Sequence, residues 1–207
     1  MIPPNRTYLL ELKRKKQAVT SSLNILKARR QALIAELLNT SRPFLKSRQE
    51  IRQRYRKGLT ELHLSLGHEG ERFIESLVHA DRRQIGIGIE GKNVLGVKYH
   101  EIRVAGEVLR SPETRPYDYS ATTPHLEESF HAFEKIVENM LQLATYESKI
   151  KKLGEEIVKI SRKVRVLEER VLPHLGFQIK TISMYISERE RENYFRLKKF
   201  KTKHVPL

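Results

Sequence analysis

Three groups of residues could do chemistry by their type and spacing. Gly86-Ile87-Gly88-Ile89-Glu90-Gly91 carries the spaced glycines of a dinucleotide-binding turn. That turn works only between a strand and a following helix, whose N-terminus receives the pyrophosphate. Here a second strand-like run, Val94-Leu95-Gly96-Val97-Lys98-Tyr99, follows, so the glycines read as a β-hairpin. Eight histidines invite a metal reading. However, His63, His68, His79 and His100 are scattered near the insert, and His125 and His131 lack the i, i+4 spacing that aims two ligands together. They read as solvated or half-packed. Glu188-Arg189-Glu190-Arg191-Glu192 could be taken for an acid/base set, but paired catalytic carboxylates need a cleft and separated pKa values. On a helix surface the run reads as a face laced with i, i+4 pairs. There is no P-loop and no HExxH, and with no cysteine there is no thiol nucleophile, disulfide or Cys-based zinc site. The expectation is a chain with no catalytic residue, no metal ligand and no cofactor, binding no nucleotide.

The elements that would position these residues are two long helices. Leu9, Leu12, Lys16, Val19, Leu23, Leu26, Arg30, Leu33, Leu37, Thr40 and Phe44 follow the alternating three-and-four spacing of a coiled-coil seam. At the two basic breaks, long stems can lie along the groove and reach water. Pro43 predicts a local bend, and the pattern fades by Gly58, giving a helix about 75 Å long at 1.5 Å per residue. Thr123 as N-cap with Pro124 at the first helical position opens the second helix. Its seam runs through Ile136, Met140, Leu143, Ile150, Leu153, Ile157, Ile160, Val164, Leu167, Val171, Leu175, Ile179, Ile182 and Ile186. Between Leu167 and Ile179 three steps of four replace the alternation, near Pro173 and Gly176, which predicts local unwinding of the supercoil. This helix reaches residue 200 or so, roughly 110 Å, and overhangs the first.

Between the helices the texture changes. Residues 69–83 predict a short amphipathic helix with Phe73, Ile74, Leu77 and Val78, followed by a hairpin turning at Glu90-Gly91-Lys92-Asn93 and a turn-rich piece from Ser111-Pro112 to Tyr119. The expected fold is mainly α: a long antiparallel two-helix coiled coil with a short irregular insert holding a short helix and a β-hairpin. The expected division is residues 1–57, 58–122 and 123–207. The insert is expected to couple or regulate, contributing little to the seam, and its Gly-rich hairpin to be mobile or partner-dependent.

Charge is lopsided. The chain has 207 residues and a net charge of +15, of which +12 falls in residues 1–57 and +4 in residues 187–207, leaving −1 between. If the two ends lie together, the molecule has one basic pole. Hydrophobic residues at 39% and aromatics at 7% are thin for a compact globule and suit a coiled coil. No apolar run reaches the roughly 18–20 residues that span a bilayer, and the N-terminus lacks an apolar signal region, so a cytosolic or cytosol-facing soluble protein is expected.

The chain resembles the D subunit of the V/A-type rotary ATPases. The resemblance rests on Leu141-Gln142-Leu143-Ala144, Ile150-Lys151-Lys152-Leu153-Gly154-Glu155-Glu156-Ile157 and Arg162-Lys163-Val164-Arg165-Val166-Leu167-Glu168. It continues through Val171-Leu172-Pro173-His174-Leu175 and the close from Glu188 to Lys198. Asn93-Val94-Leu95-Gly96-Val97-Lys98, Pro116-Tyr117, Pro4-Asn5-Arg6-Thr7 and Leu23-Asn24-Ile25-Leu26-Lys27 are similar to the family as well. The resemblance implies a central-stalk rotor shaft of prokaryotic form, without an active site, transmitting torque between ATP turnover and ion movement. The implied partners are the catalytic A and nucleotide-binding B subunits, the small F subunit of the stalk and the socket subunit (C/d) above the membrane ring. The implied location is peripheral, on the cytoplasmic side. With it, Lys13, Arg14, Arg189, Arg191, Tyr194, Phe195, Arg196, Leu197, Lys198 and Phe200 read as hexamer contacts. Ile85, Gly86, Gly88, Gly91, Val94, Gly96 and Val97 read as a coupling hairpin.

Two other readings share parts of this pattern. A basic coiled-coil nucleic-acid binder would use the +15, but the first helix's basic residues are distributed around the rod and no aromatic stacking platform or recognition fold is visible. A stalk-like coiled coil of an export ATPase would need only a short loop where this chain has a Gly-rich insert.

Overall fold

The computed structural model describes residues 5–80, 84–111, 114–115, 117–118 and 121–203. Pro4, the stretch 81–83 at the end of the expected amphipathic helix and, in the turn-rich piece, Pro112, Glu113, Pro116 and Tyr119 lie outside the described residues. In chain order the elements are α1 (Arg6–Glu69), α2 (Glu71–Ala80), β1 (Gly86–Val94), β2 (Val97–Ala105), α3 (Pro124–Val166), a π-helical turn (Leu167–Val171) and α4 (Leu172–Lys203). The chain is mainly α with a two-stranded hairpin in the insert, as the patterning predicts. It falls into two compact units, Met1–Ala32 with Ile157–Leu207, and Leu33–Glu156.

In the first unit, Asn5 caps α1 by accepting the Tyr8 amide on Oδ1 at 2.6 Å. Leu12, Leu23, Ile160 and Val164 are buried where the seam places them. Arg6 pairs with Glu190 and Lys27 with Glu168, so α1 and α4 run antiparallel. The pairs are largely exposed, worth about 0–1 kcal/mol each; burial of the seam, about 1.5–3 kcal/mol per large apolar side chain, holds the helices. The pairs set register.

In the second unit, Glu36 pairs with Lys149, Lys57 with Glu128 and Glu61 with His125, again antiparallel. Leu33, Leu126, Ile136 and Leu153 form the helical core. Met140, expected on the seam, is 54% exposed; half-buried Asn139 takes the slot, because the step from Ile136 is three residues and not four. Helix α1 runs through Pro43 and does not stop at Gly58. A Cβ at Gly58 would lie 3.4 Å from the Ala132 Cβ and 3.6 Å from the Phe133 ring, so this glycine marks close helix approach. The stop comes at Gly70, whose φ of 82° is costly for any residue with a Cβ and whose amide bonds the Leu66 carbonyl at 3.1 Å. Thr123 caps α3 as expected: its hydroxyl accepts the Leu126 amide, and its own amide donates to Glu69. Helix α2 turns Ile74 inward.

The hairpin's turn is Leu95-Gly96 and not residues 90–93, for β1 and β2 pair from Gly86↔Ala105 to Val94↔Val97. Leu95 and Gly96 both have positive φ, 53° and 80°, the primed turn whose twist matches that of the strands. The Glu90-to-Asn93 stretch is strand. The Glu90 carboxylate sits opposite Glu101, a repulsion relieved by diagonal pairs of Arg103 with Glu90 (3.0 Å) and Lys92 with Glu101.

Candidate functional site

The strongest candidate in the first unit is the end of α4. Beyond the Arg6–Glu190 pair the helix continues to Lys203, and every side chain from Arg191 to Lys201 is exposed. Tyr194, Phe195, Leu197 and Phe200 are each about two-thirds exposed or more. They are interleaved with Arg196, Lys198, Lys199 and Lys201. Arg189 lies over the Tyr185 ring at 5.4 Å, and Arg191 pairs with Glu188 at 3.6 Å. On α1, Lys13 and Arg14 are exposed. The arrangement is apolar surface with a cationic surround. It suits a protein surface and offers no cleft for a reaction.

In the second unit the hairpin, expected to be mobile or partner-dependent, is bonded to α3. The outward-facing amides of β2 at His100 and Ile102 donate to the hydroxyls of Ser148 (3.3 Å) and Thr145 (3.0 Å) on α3. Lys149 lies over the Tyr99 ring at 5.7 Å, and Val97 and Tyr99 are buried. Thus α3 covers one edge of the two-stranded sheet and meets its backbone donors. Strand β1 carries Gly86, Gly88 and Gly91, all exposed, and Ile87 and Ile89 at 52% and 69% exposure. Ile85 and Val94 are half-buried.

A buried ionic cluster ties the segment before α3 to that helix, and the sequence alone does not announce it. Arg115, 2% exposed at its side chain, donates to Glu127 and to the Tyr117 hydroxyl at 2.8 Å. Glu127 also accepts from Tyr117 (2.9 Å) and Thr122 (3.1 Å). Two helical turns further on, Glu134 takes the Arg110 amide at 3.1 Å and its guanidinium at 2.8 Å. The i, i+7 spacing of Glu127 and Glu134 was the available signal, but Glu127 reads equally well as a first-turn acid facing the helix dipole. Beside the cluster is an apolar recess of about 260 Å³ lined by Leu77, Val108, Phe130, Phe133 and Val137. Of its polar lining groups, Arg110 pairs with Glu134 and the Tyr117 hydroxyl donates to Glu127.

Burial and the adjacent Glu127 push the Tyr117 phenol up to about 12, against the opposing pull of Arg115. The folded state therefore holds the proton that the unfolded chain loses near pH 10. Stability should be level below pH 10 and fall as pH rises toward 12. Replacing Tyr117 by Phe should flatten that fall in urea unfolding measured across pH 9–12; an unchanged slope would assign it elsewhere.

Of the other candidates, the spaced glycines sit in β1, paired to β2, and no helix N-terminus follows them. His125 Nδ1 lies 2.7 Å from Glu61, and His68 is parallel to it at 6.4 Å. Among the described residues no three His, Asp or Glu side chains are placed to hold a metal. The Glu188–Glu192 run is helical surface, with Glu190 paired to Arg6.

A profile of the family described as the D subunit of ATP synthase matches residues 8–202. The chain belongs to that family. It is 32% identical to the D subunit of the A-type ATP synthase of Thermococcus sibiricus, over 97% of this chain and 93% of the relative. It is 32% identical to the A-type D subunit of Methanoregula boonei, over 98% and 96%, and 30% identical to that of Pyrococcus furiosus, over 97% and 93%. The D-subunit match takes in the hairpin, the buried cluster, the π turn and the exposed end of α4. Among the described residues of this family member no helix is long and apolar enough to cross a membrane.

Proposed function

We propose that this chain is the non-catalytic central rotor shaft of a V/A-type ATPase, transmitting torque between the catalytic hexamer and the membrane ring. The observation that carries the reading is the antiparallel helix pair in each unit, register-locked by cross-helix ion pairs, in a member of the D-subunit family. Two packed helices resist twist and bending as a loop cannot. The exposed end of α4, with Lys13 and Arg14 of α1, meets the A and B subunits. The residue 58–122 insert, through the hairpin from Ile85 to Val97, couples the shaft to the small F subunit and the socket subunit. The complex is peripheral on the cytoplasmic side of its membrane. The charge distribution supports contact with a less basic sleeve at the hexamer, since like charges in contact are costly.

Affinity purification of the tagged chain from gently solubilised native membranes tests this reading. The expected recovery is a multi-subunit ATPase with A, B and F subunits. Recovery of nucleic acid, or of an export apparatus, in its place would replace the reading with one of the two alternatives.

A further inference from the structure

The π turn at Leu167–Val171 has a cause visible in the seam. From Val164 the seam advances to Leu167, Val171, Leu175, Ile179 and Ile182, in steps of three, four, four, four and three. Regular alternation would reach the same place with one residue fewer. A straight α-helix would carry that residue as a rotation of about 100° in everything beyond it; a π turn absorbs it in one place. The Leu172 amide accordingly bonds the Leu167 carbonyl, five residues back. Cross-helix pairing agrees: α1 advances 21 residues from Arg6 to Lys27, while the opposite helix takes 22 from Glu168 to Glu190. In the other unit, Glu36 to Lys57 and Glu128 to Lys149 are 21 residues each. Pro173 follows at once, and in an α turn its ring would press on the Glu169 carbonyl.

We propose that this turn is a built-in torsional joint: one surplus residue, held in place by Pro173 and seated on α1 through Lys27–Glu168, where the helix pair of the first unit twists most readily. Its N-terminal flank has a buried seam at Ile160 and Val164. The joint itself has no buried side chain, with its apolar Leu167 and Val171 only half-buried. Its use in torque transmission rests on the shaft reading, but its existence can be tested on the full free chain.

Two single-residue deletions, both in a Pro173→Ala background, separate the joint from ordinary helix. Deleting Glu169 removes the surplus residue, so that Leu175, Ile179 and Ile182 stand where regular alternation from Val164 would put them, and should leave the thermal midpoint within about 3 °C of the Pro173→Ala parent. Deleting Lys151 turns Leu153, Ile157, Ile160 and Val164 off the seam before the π turn can compensate, and should lower the midpoint by about 10 °C or more. In the unaltered chain, amides 167–175 should exchange at least about tenfold faster than those of 157–164, and the Glu169 deletion should remove that difference. Equal damage from the two deletions would overturn the proposal. So would exchange across 167–175 as slow as in the flanks.

Discussion

Ending the chain after Ser187 should weaken its assembly with the A and B hexamer by about a hundredfold or more, while its helix pair melts close to where the full chain does. The two outcomes separate because different residues carry them. The buried seam positions Leu12, Leu23, Ile160 and Val164 all lie before the cut, and half-buried Ile186 is retained. The cut removes one interhelix pair, Arg6–Glu190, worth about 0–1 kcal/mol at its exposure. It also removes Tyr194, Phe195, Leu197 and Phe200, whose large exposed apolar surfaces have no cost to the free chain that assembly would not relieve. Aromatic anchors of this kind carry about 2 kcal/mol or more each when a partner closes over them, so losing three to four outweighs any saving in ordering entropy. The basic side chains between them shape association more than residence: neutralising Arg196, Lys198 and Lys199 together should slow binding and flatten its salt dependence. Binding of the F subunit and of the socket subunit should be unchanged by the truncation. If the truncated chain lost the F subunit and kept the hexamer, the assignment of ends would be reversed.

How much of this was legible in the sequence depends on whether one local signal had one physical meaning. Periodic burial did: Leu12, Leu23, Leu33, Leu153, Ile160 and Val164 are buried where the three-and-four count places them, since that spacing has one cheap solution. The Thr123-Pro124 cap also had one meaning. Glycine had two. Gly58 and Gly70 look alike in sequence, yet one allows a helix to approach Phe133 and the other supplies a left-handed cap, a distinction set by what packs opposite. The hairpin was misplaced for a related reason: Glu90-Gly91-Lys92-Asn93 has turn composition, but the strands meet at Leu95-Gly96 because β2 must present alternate amides to Thr145 and Ser148. Three steps of four near Pro173 predicted local unwinding but not its form, a π turn at Leu167–Val171. As for the candidate site, the exposed aromatic end of α4 was readable as an overhang, whereas Arg115–Glu127 joins residues twelve apart and leaves no periodic trace.

That pair should be the most sensitive polar contact of its unit. Arg115→Ala would leave the nearly buried Glu127 carboxylate with hydroxyl donors from Tyr117 and Thr122 but no counter-charge. Stripping one partner from a buried ion pair costs about 3–5 kcal/mol, against a total stability of about 5–15 kcal/mol for a domain. The loss should appear as fast proteolysis and exchange in residues 106–123 and the first turns of α3. The first unit has its own buried seam at Leu12, Leu23, Ile160 and Val164, so much of the helical signal should survive. The pair itself is imperfect, since the Arg115 Nε is buried without a partner. An uncharged replacement should therefore recover most of the stability. In Arg115→Met combined with Glu127→Gln, the amide oxygen still accepts from Tyr117 and Thr122, and the Met side chain fills the volume against Phe130, over which Arg115 now lies at 5.5 Å. Urea unfolding followed by exchange in residues 106–123 should place the double variant within about 1–2 kcal/mol of the parent and well above Arg115→Ala. If the double variant fell as far as the single one, the guanidinium's shape and its bonds to Tyr117 would be what holds the segment to α3, and charge compensation would not.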